Sequence, residues 1–461
     1  MANTISEVVE RDLCIGCGAC AGICPRNHLT MHMGGDGAYA PCLQGACPAN
    51  CGVCLRVCPF AVDQVSETQL AEKVFPPEAQ LDRHAVLGYC GPAWVGHVAE
   101  GAFRAQGASG GLATWLLHEL LATGRVDAVA CVRPTATPDQ LYTYQLCRTS
   151  ADILTGSRSA YYPVELSSVI QSIRQQEGRV AIIGLPCVCK AVRLLMQVDR
   201  RLTARIPYLL GLVCGHTVTR AFTEYLADTH GLNHRTLRCW QSRGKDPAQP
   251  ASNYYYQGAD DTRECRISFL PDVAQLWSAK AFTPRPCLLC DDVFAETADL
   301  VLMDAWLAPY TQDWRGANIA VSRHAELTAI IEQGRAQQRL ELQPLDLTRV
   351  EASQAGVVRE KRQLLAHRLW VEQQAGRVIP TKRVTPAPPD RQMRAQITDQ
   401  LAVARTSLAL ARESGMTSDV VAQLRTLVTA YARTHLRKSL FSRLCAKLRL
   451  LVATSLRRGH S

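Results

Sequence analysis

Two features common in exported and membrane proteins are missing from this 461-residue sequence. No apolar run reaches the roughly 18 residues that a helix needs to cross a bilayer, so we expect no membrane-spanning segment. The first residues, MANTISEVVERD, carry acidic side chains and no apolar core, so we expect no secretory signal. Together these absences predict a cytoplasmic protein.

Acidic residues are missing from the end of the chain. Eight Lys or Arg and no Asp or Glu lie between Arg433 and Arg458, so the net charge of +10 belongs largely to this tail. A helix over the tail would collect these apolar residues on one face: Leu440, Leu444, Leu448, Leu451 and Val452. Three interpretations stay open: peripheral contact with an anionic membrane at its inner face, docking of an acidic ferredoxin or another protein, and packing back onto the chain. Because the charge is confined to one amphipathic helix, we expect no nucleic acid partner.

Cysteine, in contrast, is abundant. The chain has 20 cysteines, and nine of them lie within residues 1–64. In a protein without a secretory signal, such density predicts metal binding in a reducing compartment. Three thiols within seven residues favour iron–sulfur clusters over zinc, which usually takes cysteine pairs separated by longer loops.

Each cysteine run ends in Cys-Pro, and the spacing is that of two-cluster ferredoxins, in which the fourth cysteine of each run reaches the other cluster. One predicted 4Fe–4S cluster therefore takes Cys14, Cys17, Cys20 and Cys58. The other takes Cys47, Cys51, Cys54 and Cys24. The short spacings let backbone N–H groups point at the sulfurs, and the prolines turn the chain away.

The second cysteine run is less regular than the first, because Pro48 stands where a cysteine is expected. Either the loop bulges to bring Cys47 in, or Cys42 takes its place, or this cluster is absent or has three irons. We favour Cys47.

The rest of the sequence divides into three further stretches. Residues 83–372 alternate strand and helix patterns, as in GRVAIIG followed by LPCVCKAVRLLMQV, which predicts an α/β domain with a mostly parallel sheet. The proline-rich composition of residues 376–390 predicts an extended linker. The pattern of residues 391–461 predicts a helical, basic extension. The fold class is therefore an α+β ferredoxin-like domain over 1–64, a central α/β domain and helices. Within the centre, 239–263 predict antiparallel excursions or a loop.

Most cysteines outside residues 1–64 are isolated in apolar runs, and we interpret them as small hydrophobic residues. Four cysteines of the central stretch differ from these in their position. Cys187 and Cys214 each follow a predicted strand, so they should lie at the carboxyl ends of adjacent strands, where open α/β sheets bind ligands. The pair Cys287 and Cys290, brought to the same edge, would complete four thiolates. A third cluster is the favoured interpretation, with a redox-active disulfide or unconnected core thiols as the alternatives.

Two segments are candidates for phosphate binding. Ser109, Gly110 and Gly111 open a predicted helix, with Ser109 as its N-cap and the glycines leaving room for a phosphate. The alternative is a plain capped helix whose glycines pack against a strand. Ser157 and Arg158, in the loop TGSRSAYYP, suit phosphate and ring contacts and also suit an ordinary polar loop.

The pieces SGGLATWLL, GSRSAYYP, GLPC, GLVC, RPCLLC and ADLVLMDAW follow one another between residues 109 and 306. With the cysteine-rich start, they resemble the beta subunits of coenzyme F-420-dependent hydrogenases and dehydrogenases over about residues 10–370. The chain departs from that family at Cys214-Gly215-His216, where Cys-His-Gly is more common, at Val188 in place of Gln, and at Met303 in place of Gly. These departures leave the family's usual hydride donor open.

The resemblance implies a set of ligands. It implies FAD in the central domain, bound with the help of Ser109, Gly110, Gly111, Ser157 and Arg158, with Asp304 orienting a ring or ribose. It also implies a 4Fe–4S cluster on Cys187, Cys214, Cys287 and Cys290.

The expected function is that of an iron–sulfur, flavin-dependent oxidoreductase. It would pass electrons between the clusters and an FAD that acts on a small organic substrate or a deazaflavin, with ferredoxin or another redox protein as its partner. One alternative is a non-catalytic electron-transfer subunit, and another is a binding protein whose clusters are only structural. His216 and Lys190 are candidate proton donors, although for each residue we favour a structural role.

Overall fold

The computed structural model describes residues 4–48 and 50–436. The predicted amphipathic helix of the basic tail lies outside these residues. Within them, no helix is both long enough and apolar enough to cross a membrane.

The N-terminal part folds as three short helices around a two-stranded antiparallel hairpin: α1 Ser6–Glu10, α2 Ala19–Ile23, β1 Leu29–Met33, β2 Tyr39–Leu43 and α3 Val53–Arg56. Helices α2 and α3 begin in the same way, at Gly18 (φ 79°) and Gly52 (φ 55°). Each glycine follows a cysteine and takes a left-handed conformation, which only glycine adopts without cost. The chain therefore turns at once, and the next cysteine, Cys20 or Cys54, falls in the first turn of a helix.

Between the N-terminal part and the large sheet lie α4 Glu67–Val74, β3 Asp82–His84 and β4 Gly88–Cys90. Ser66 and Gln69 form a reciprocal cap at the start of α4, since each backbone N–H donates to the other side chain, at 2.9 and 3.2 Å.

The strands of the remaining chain are β5 Ala93–Val98, β6 Ala128–Thr137, β7 Gln140–Cys147, β8 Val180–Gly184, β9 Tyr208–Leu212, β10 Cys239–Gly244, β11 Tyr255–Ala259, β12 Glu264–Ser268, β13 Leu300–Asp304, β14 Asn318–Ser322 and β15 Leu340–Pro344. Eight of them form one sheet in the order β15-β5-β14-β13-β9-β8-β6-β7.

The sheet is mixed, so the prediction of a mostly parallel sheet is wrong. Strands β6, β8, β9 and β13 are parallel neighbours, whereas β7, β14, β5 and β15 pair antiparallel. The reason lies in the connections. The chain passes from β13 to β14 without a crossover helix, and only a helix-length crossover returns a strand in the parallel direction. The segments GRVAIIG, RIPYLLGLV, VDAVACV and ADLVLMDAW do form strands, namely the four parallel ones.

The helices of this part are α5 Phe103–Gln106, α6 Leu112–Ala122, α7 Ser150–Thr155, α8 Ser167–Gln175, α9 Pro186–Val198, α10 Arg200–Arg205, α11 Arg220–Thr229, α12 Ala274–Ala279, α13 Arg285–Leu288, α14 Ala325–Ala336, α15 Leu347–Ser353, α16 Ala355–Val358 and α17 Leu364–Gln374. Successive strand residues point to opposite faces. Ile183 packs with α6 and α14, and Ile182 packs with α8 and α9. The N-terminal part joins the second face through Ala19 and Ile23.

Two smaller units complete the fold. Strands β10, β11 and β12 form a separate antiparallel sheet, as predicted for this stretch. Helices α18 Arg391–Ser414 and α19 Ser418–Tyr431 pack with α12. Asp390 caps α18 by accepting the N–H of Met393 at 2.7 Å.

Residues 376–390, which we call the strap, have no helix or strand, in keeping with the predicted extended linker. The strap is nevertheless held at both ends, because Thr381 N–H donates to Val62 at 2.9 Å and Ala387 N–H donates to Ala366 at 3.0 Å. Between these contacts, Arg383 reaches Asp291 at 3.1 Å and Glu296 at 2.5 Å. The strap therefore joins the N-terminal part to the central domain through buried charge.

The Arg383 contacts predict a loss of stability on truncation. In Arg383→Ala, buried Asp291 and Glu296 lose a compensating cation, so we expect the free energy of unfolding to fall by about 3–5 kcal/mol. The matched control is Arg83→Ala, whose pair with Glu72 is exposed and contributes about 1 kcal/mol or less. Urea unfolding followed by circular dichroism measures both. Equal losses in the two variants would contradict the prediction.

Candidate functional site

The structure brings together the four cysteines predicted for the first cluster. Burial raises the pKa of Cys20, and the thiols of Cys17, Cys14, Cys58 and Cys54 raise it further. Burial likewise raises the pKa of Cys17 to about 12 and raises that of Cys58. Thiols influence one another in this way only when they are close. Four neighbouring thiols, of which Cys20 and Cys58 are buried and Cys14 and Cys17 half-buried, are the donor set that a 4Fe–4S cluster takes.

Backbone N–H groups point at these sulfurs, as the short spacing predicts. Each N–H comes from two or three residues further along: Gly16 to Cys14, Ala19 to Cys17, and Phe60 and Ala61 to Cys58. These hydrogen bonds lower the thiol pKa values, against the effect of burial, because they favour the charged sulfur. The same donors would stabilise the negative charge of a bound cluster.

The second cysteine set adjoins the first. Cys47 lies close enough to Cys54 to raise its pKa, after the larger effect of burial. Cys42, the alternative to Cys47, is exposed on β2. The geometry therefore favours the bulged loop. Cys51 and Cys24 are half-buried, and Cys24 packs against the same apolar core as Cys54.

The third cysteine set also gathers at one place. Strands β8 and β9 are parallel neighbours, so Cys187 and Cys214 leave the sheet at the same edge, and the segment around α13 adds Cys287 and Cys290. Burial raises the pKa of Cys187, followed by the effects of Cys287, Cys214 and Cys290. Burial also raises the pKa of Cys214 to about 11 and that of Cys287 to about 12.

The three sets form a series. Cys54 adjoins Cys20, and Cys17 is close enough to raise the pKa of Cys187. Among the described residues, no three Cys, His, Asp or Glu side chains converge tightly enough to hold a single metal ion. A four-iron cluster is wider than an ion, so its cysteines stand further apart than those of a zinc site. The series leads from Cys47 in the N-terminal part to the carboxyl ends of the parallel strands of the central sheet.

Lys361 is part of the third site, although no motif in the sequence pointed to it. It lies in a π-helical turn between α16 and α17, and its Nζ is 3.2 Å from Cys290 Sγ and 2.7 Å from the carbonyl oxygen of Asp292. Burial opposes its charge, yet the thiols of Cys290, Cys214 and Cys287 raise its pKa. Lys361 therefore supplies a buried positive charge beside the cysteines.

Neither candidate proton donor is placed to act as an acid. Lys190 forms a buried ion pair with Glu67 at 3.0 Å, which is a structural role. His216 is buried, its Nε2 has no partner among the described residues, and its ring lies 4.0 Å from that of Trp277. Burial and the cations Lys280, Lys361 and Arg368 hold the pKa of His216 well below its usual range. The imidazole is therefore neutral.

A cleft opens at the carboxyl end of β13, next to the third cysteine set. Two of the predicted flavin residues, Ser109 and Asp304, line it. Ser109 Oγ donates to the carbonyl oxygen of Ala317 at 2.8 Å. Asp304 accepts from Arg243 at 2.7 Å. Strands β8, β9 and β13 are consecutive in the sheet, so the cleft and the third cysteine set share one edge.

The glycines beside Ser109 are tightly packed, Gly110 against strands β5 and β14 and Gly111 against helix α5. A Cβ on Gly110 would lie 2.8 Å from the carbonyl oxygen of Gly96. The N-cap of α6 is Gly111 (φ 87°), so the prediction that Ser109 caps this helix is wrong, because only a left-handed residue makes the turn that the chain needs there. The first N–H of the helix, that of Leu112, donates to Asn318 at 3.0 Å. A flavin contact of these glycines stays a prediction.

Ser157 and Arg158 lie beside the cleft. Ser157 Oγ donates to the carbonyl oxygen of Gln106 at 3.0 Å, and Arg158 donates to Gln241 at 3.0 Å. Arg158 is close enough to the cleft to lower the pKa of Lys245.

The cleft also has two cations that the sequence reasoning missed. Arg243 is buried, lies 4.4 Å over the ring of Tyr254, and keeps its Nε without a partner among the described residues. Lys245 donates to the carbonyl oxygen of Ser109 at 2.7 Å. Burial and the nearby arginines Arg104, Arg243 and Arg158 lower the pKa of Lys245 to about 7. This excess of positive charge suits a phosphate-bearing ligand.

Family comparisons agree with this architecture. The profile for the N-terminal part of the coenzyme F420 hydrogenase/dehydrogenase beta subunit matches residues 93–171, and the profile for its C-terminal part matches 177–348. Together they span more than half of the chain. A profile described as "4Fe-4S binding domain" matches residues 7–27.

Individual relatives are distant. The chain is 24% identical over 228 residues to the F subunit of the F(420)H(2) dehydrogenase of Methanosarcina mazei, covering 46% of this chain and 56% of the relative. It is 22% identical over 249 residues to coenzyme F420-dependent sulfite reductase of Methanocaldococcus jannaschii, covering 50% and 35%. The chain thus spans about half, or about a third, of these relatives. A chain of the F420-reducing [NiFe] hydrogenase complex from Methanosarcina barkeri aligns with a TM-score of 0.48 at 15% identity, over 63% of this chain and 96% of that one.

Proposed function

Since the chain belongs to the family of coenzyme F420 hydrogenase/dehydrogenase beta subunits and has a 4Fe-4S binding domain, we propose that it is an iron–sulfur flavoprotein oxidoreductase. In this proposal, electrons pass between ferredoxin-type clusters and an FAD that serves a small organic substrate or a deazaflavin. Both curated relatives are named for F420-linked oxidoreductases, which supports the class of reaction.

The observation that carries the proposal is the series of three cysteine sets. The outer set is Cys47, Cys51, Cys54 and Cys24, the middle set is Cys14, Cys17, Cys20 and Cys58, and the inner set is Cys187, Cys214, Cys287 and Cys290. Cys54 is close enough to raise the pKa of Cys20, and Cys17 is close enough to raise that of Cys187, so neighbouring sets are near each other. Iron–sulfur clusters bound in such a series would transfer single electrons from one cluster to the next across the protein.

The cleft supports an FAD at the inner end of this series. Arg243 and Lys245 would hold the pyrophosphate, and Asp304 would keep the Arg243 guanidinium in place through their 2.7 Å contact. When bound, FAD exchanges electron pairs with organic molecules and single electrons with iron–sulfur clusters. The chain's own contribution is to bind and orient the ligand and to exclude water.

Aromatic side chains lead from the cleft toward the inner cysteines, with Tyr254 buried and Tyr161 and Trp277 half-buried. Tyr254 lies under Arg243, Tyr161 packs on Trp277 with ring centres 5.3 Å apart, and Trp277 contacts His216, two residues beyond Cys214. These contacts support a short path for electrons between the cleft and the inner cysteine set.

The main alternative is a non-catalytic electron-transfer subunit of a larger complex. The two functions differ in whether the purified, cofactor-loaded chain alone oxidises a reduced deazaflavin with an artificial acceptor. In that reaction the donor loses a hydride, its two electrons pass singly to the acceptor, and the proton goes to solvent. Turnover supports the enzyme, and its absence with all cofactors present supports the subunit.

The cofactor content is the direct test. Anaerobically purified protein should hold about twelve irons and one FAD, as three four-iron clusters require. Cys214→Ala should lower the iron content to about eight, because it removes one ligand of the inner set. Cys90→Ala, a buried thiol outside the three sets, should leave it unchanged. Zinc without a yellow chromophore would overturn the proposal, and about eight irons in the unsubstituted protein would remove the inner cluster.

The charge of Lys361 predicts a shift in reduction potential. Adding an electron to the inner cluster is favoured by a cation 3.2 Å from Cys290, so Lys361→Met should lower that potential by on the order of 100 mV. Lys361→Arg keeps the charge and should restore most of the potential. An anaerobic redox titration followed by electron paramagnetic resonance measures this. An unchanged potential in Lys361→Met would contradict the assignment.

Lys245 predicts that FAD binding depends on pH. With its pKa lowered to about 7, Lys245 is charged below pH 7 and neutral above it. An anionic pyrophosphate binds the charged form better, so the dissociation constant of FAD should rise by up to about tenfold per pH unit between pH 7 and 9. Lys245→Gln should flatten this slope. Flavin fluorescence titration gives both curves, and equal slopes would exclude Lys245 from the site.

A further inference from the structure

The outer cysteine set lies in a stretch of chain that is nearly free of acidic residues. Between Cys24 and Val62 the only carboxylate is that of Asp36. It is buried and paired with Arg412, so it offers no negative charge to solvent. The stretch itself therefore has no exposed carboxylate, and the next one along the chain is that of Asp63.

Two arginines flank the outer cysteines on this surface. Arg26 is two residues beyond Cys24, and Arg56 is two residues beyond Cys54. Both are exposed, and neither is paired with a carboxylate within the described part of the chain. The cysteines that they follow, Cys24 and Cys54, pack in the same apolar core.

The same surface has an apolar component. Leu43, at the end of β2, is 37% exposed, and Cys42 beside it is exposed as well. Cys47 and Cys51 are half-buried, so the outer cysteine set is not closed off from solvent. We call Arg26, Arg56, Leu43 and the two half-buried cysteines the outer face.

The nearest acidic helix does not cancel this charge. Helix α1 packs against β2 and contains Glu7 and Glu10. Glu7 is paired with Arg11 at 3.7 Å. Glu10 instead lines a groove with Arg377 and Arg405, away from the outer cysteines.

We propose that the outer face is the docking surface for an acidic one-electron carrier protein of the ferredoxin class. This inference rests on the proposed function, because it takes the outer cysteine set as a working cluster. Positive charge around a small apolar patch steers an acidic partner into place and allows it to leave, as transient electron-transfer contacts require. Each docking transfers one electron: the carrier's cluster is oxidised, the outer cluster is reduced, and no bond is made or broken. Two dockings supply the pair of electrons that an organic substrate needs.

The test compares charge reversal on the outer face with charge reversal elsewhere. The variant is Arg26→Glu with Arg56→Glu, in the cofactor-loaded chain. The control is Arg148→Glu with Arg235→Glu, two exposed arginines outside the stretch that give the same change in net charge. Stopped-flow absorbance follows cluster reduction by a reduced, Asp- and Glu-rich two-cluster ferredoxin, and separately by reduced methyl viologen. Iron and flavin contents confirm that every variant is loaded.

We expect reduction by ferredoxin at low salt to slow by at least about tenfold in the outer-face variant and to change little in the control. The difference should shrink as salt is added, because salt screens exposed charges. The milder Arg26→Gln with Arg56→Gln should show a smaller loss. Reduction by methyl viologen should not slow in any variant.

Equal ferredoxin rates in the outer-face variant and the control would overturn the docking surface. If methyl viologen reduces the clusters while ferredoxin does not reduce even the unsubstituted chain, the docking proposal fails and the proposed function stands. If neither donor reduces the loaded chain, the proposed function itself fails.

Discussion

Buried charge is the constraint on which the arrangement of this chain depends. The buried carboxylates of Asp291, Asp292 and Glu296 follow the inner cysteine Cys290 in the chain. Buried negative charges are stable in an apolar interior only when cations pair with them. Those cations come from separate parts of the fold. Lys361 lies in the turn before α17, and Arg383 lies in the strap. The packing of the strap and of the turn before α17 on this part of the central domain is therefore electrostatic as well as apolar.

The sheet explains why the cysteines and the cleft lie together. Parallel strands β8, β9 and β13 end at one edge, and the residues that follow them, Cys187, Cys214 and Asp304, meet there. The antiparallel strands on either side change the sheet class without disturbing this edge. The error in the predicted sheet class therefore did not change where Cys187 and Cys214 leave the sheet, whereas the cleft also takes residues from antiparallel strands or from beside them, such as Arg243 and Ala317.

Different parts of the site were visible in the sequence to different degrees. The sequence predicted that Cys187 and Cys214 lie near each other, because each follows a predicted strand and parallel strands end at the same edge of a sheet. The role of Ser109 did not follow, because its hydrogen bond to Ala317 joins segments far apart in the chain. No sequence motif marked Arg243 and Lys245 as part of the cleft. Their place in the cleft depends on how the small antiparallel sheet packs beside the large one.

By itself, the sequence determined the features that are set within a few residues: the cysteine spacing, the glycines that start α2 and α3, the strands of the parallel centre and the family to which the chain belongs. Only the tertiary structure decided which cations lie beside the buried thiols and carboxylates. Lys361 is 71 residues from Cys290, Arg383 is 92 residues from Asp291, and Arg243 is 61 residues from Asp304. The physical reason is that a helix turn or a strand fixes its neighbours through local geometry, whereas partners so distant along the chain meet only once apolar packing has closed the fold between them.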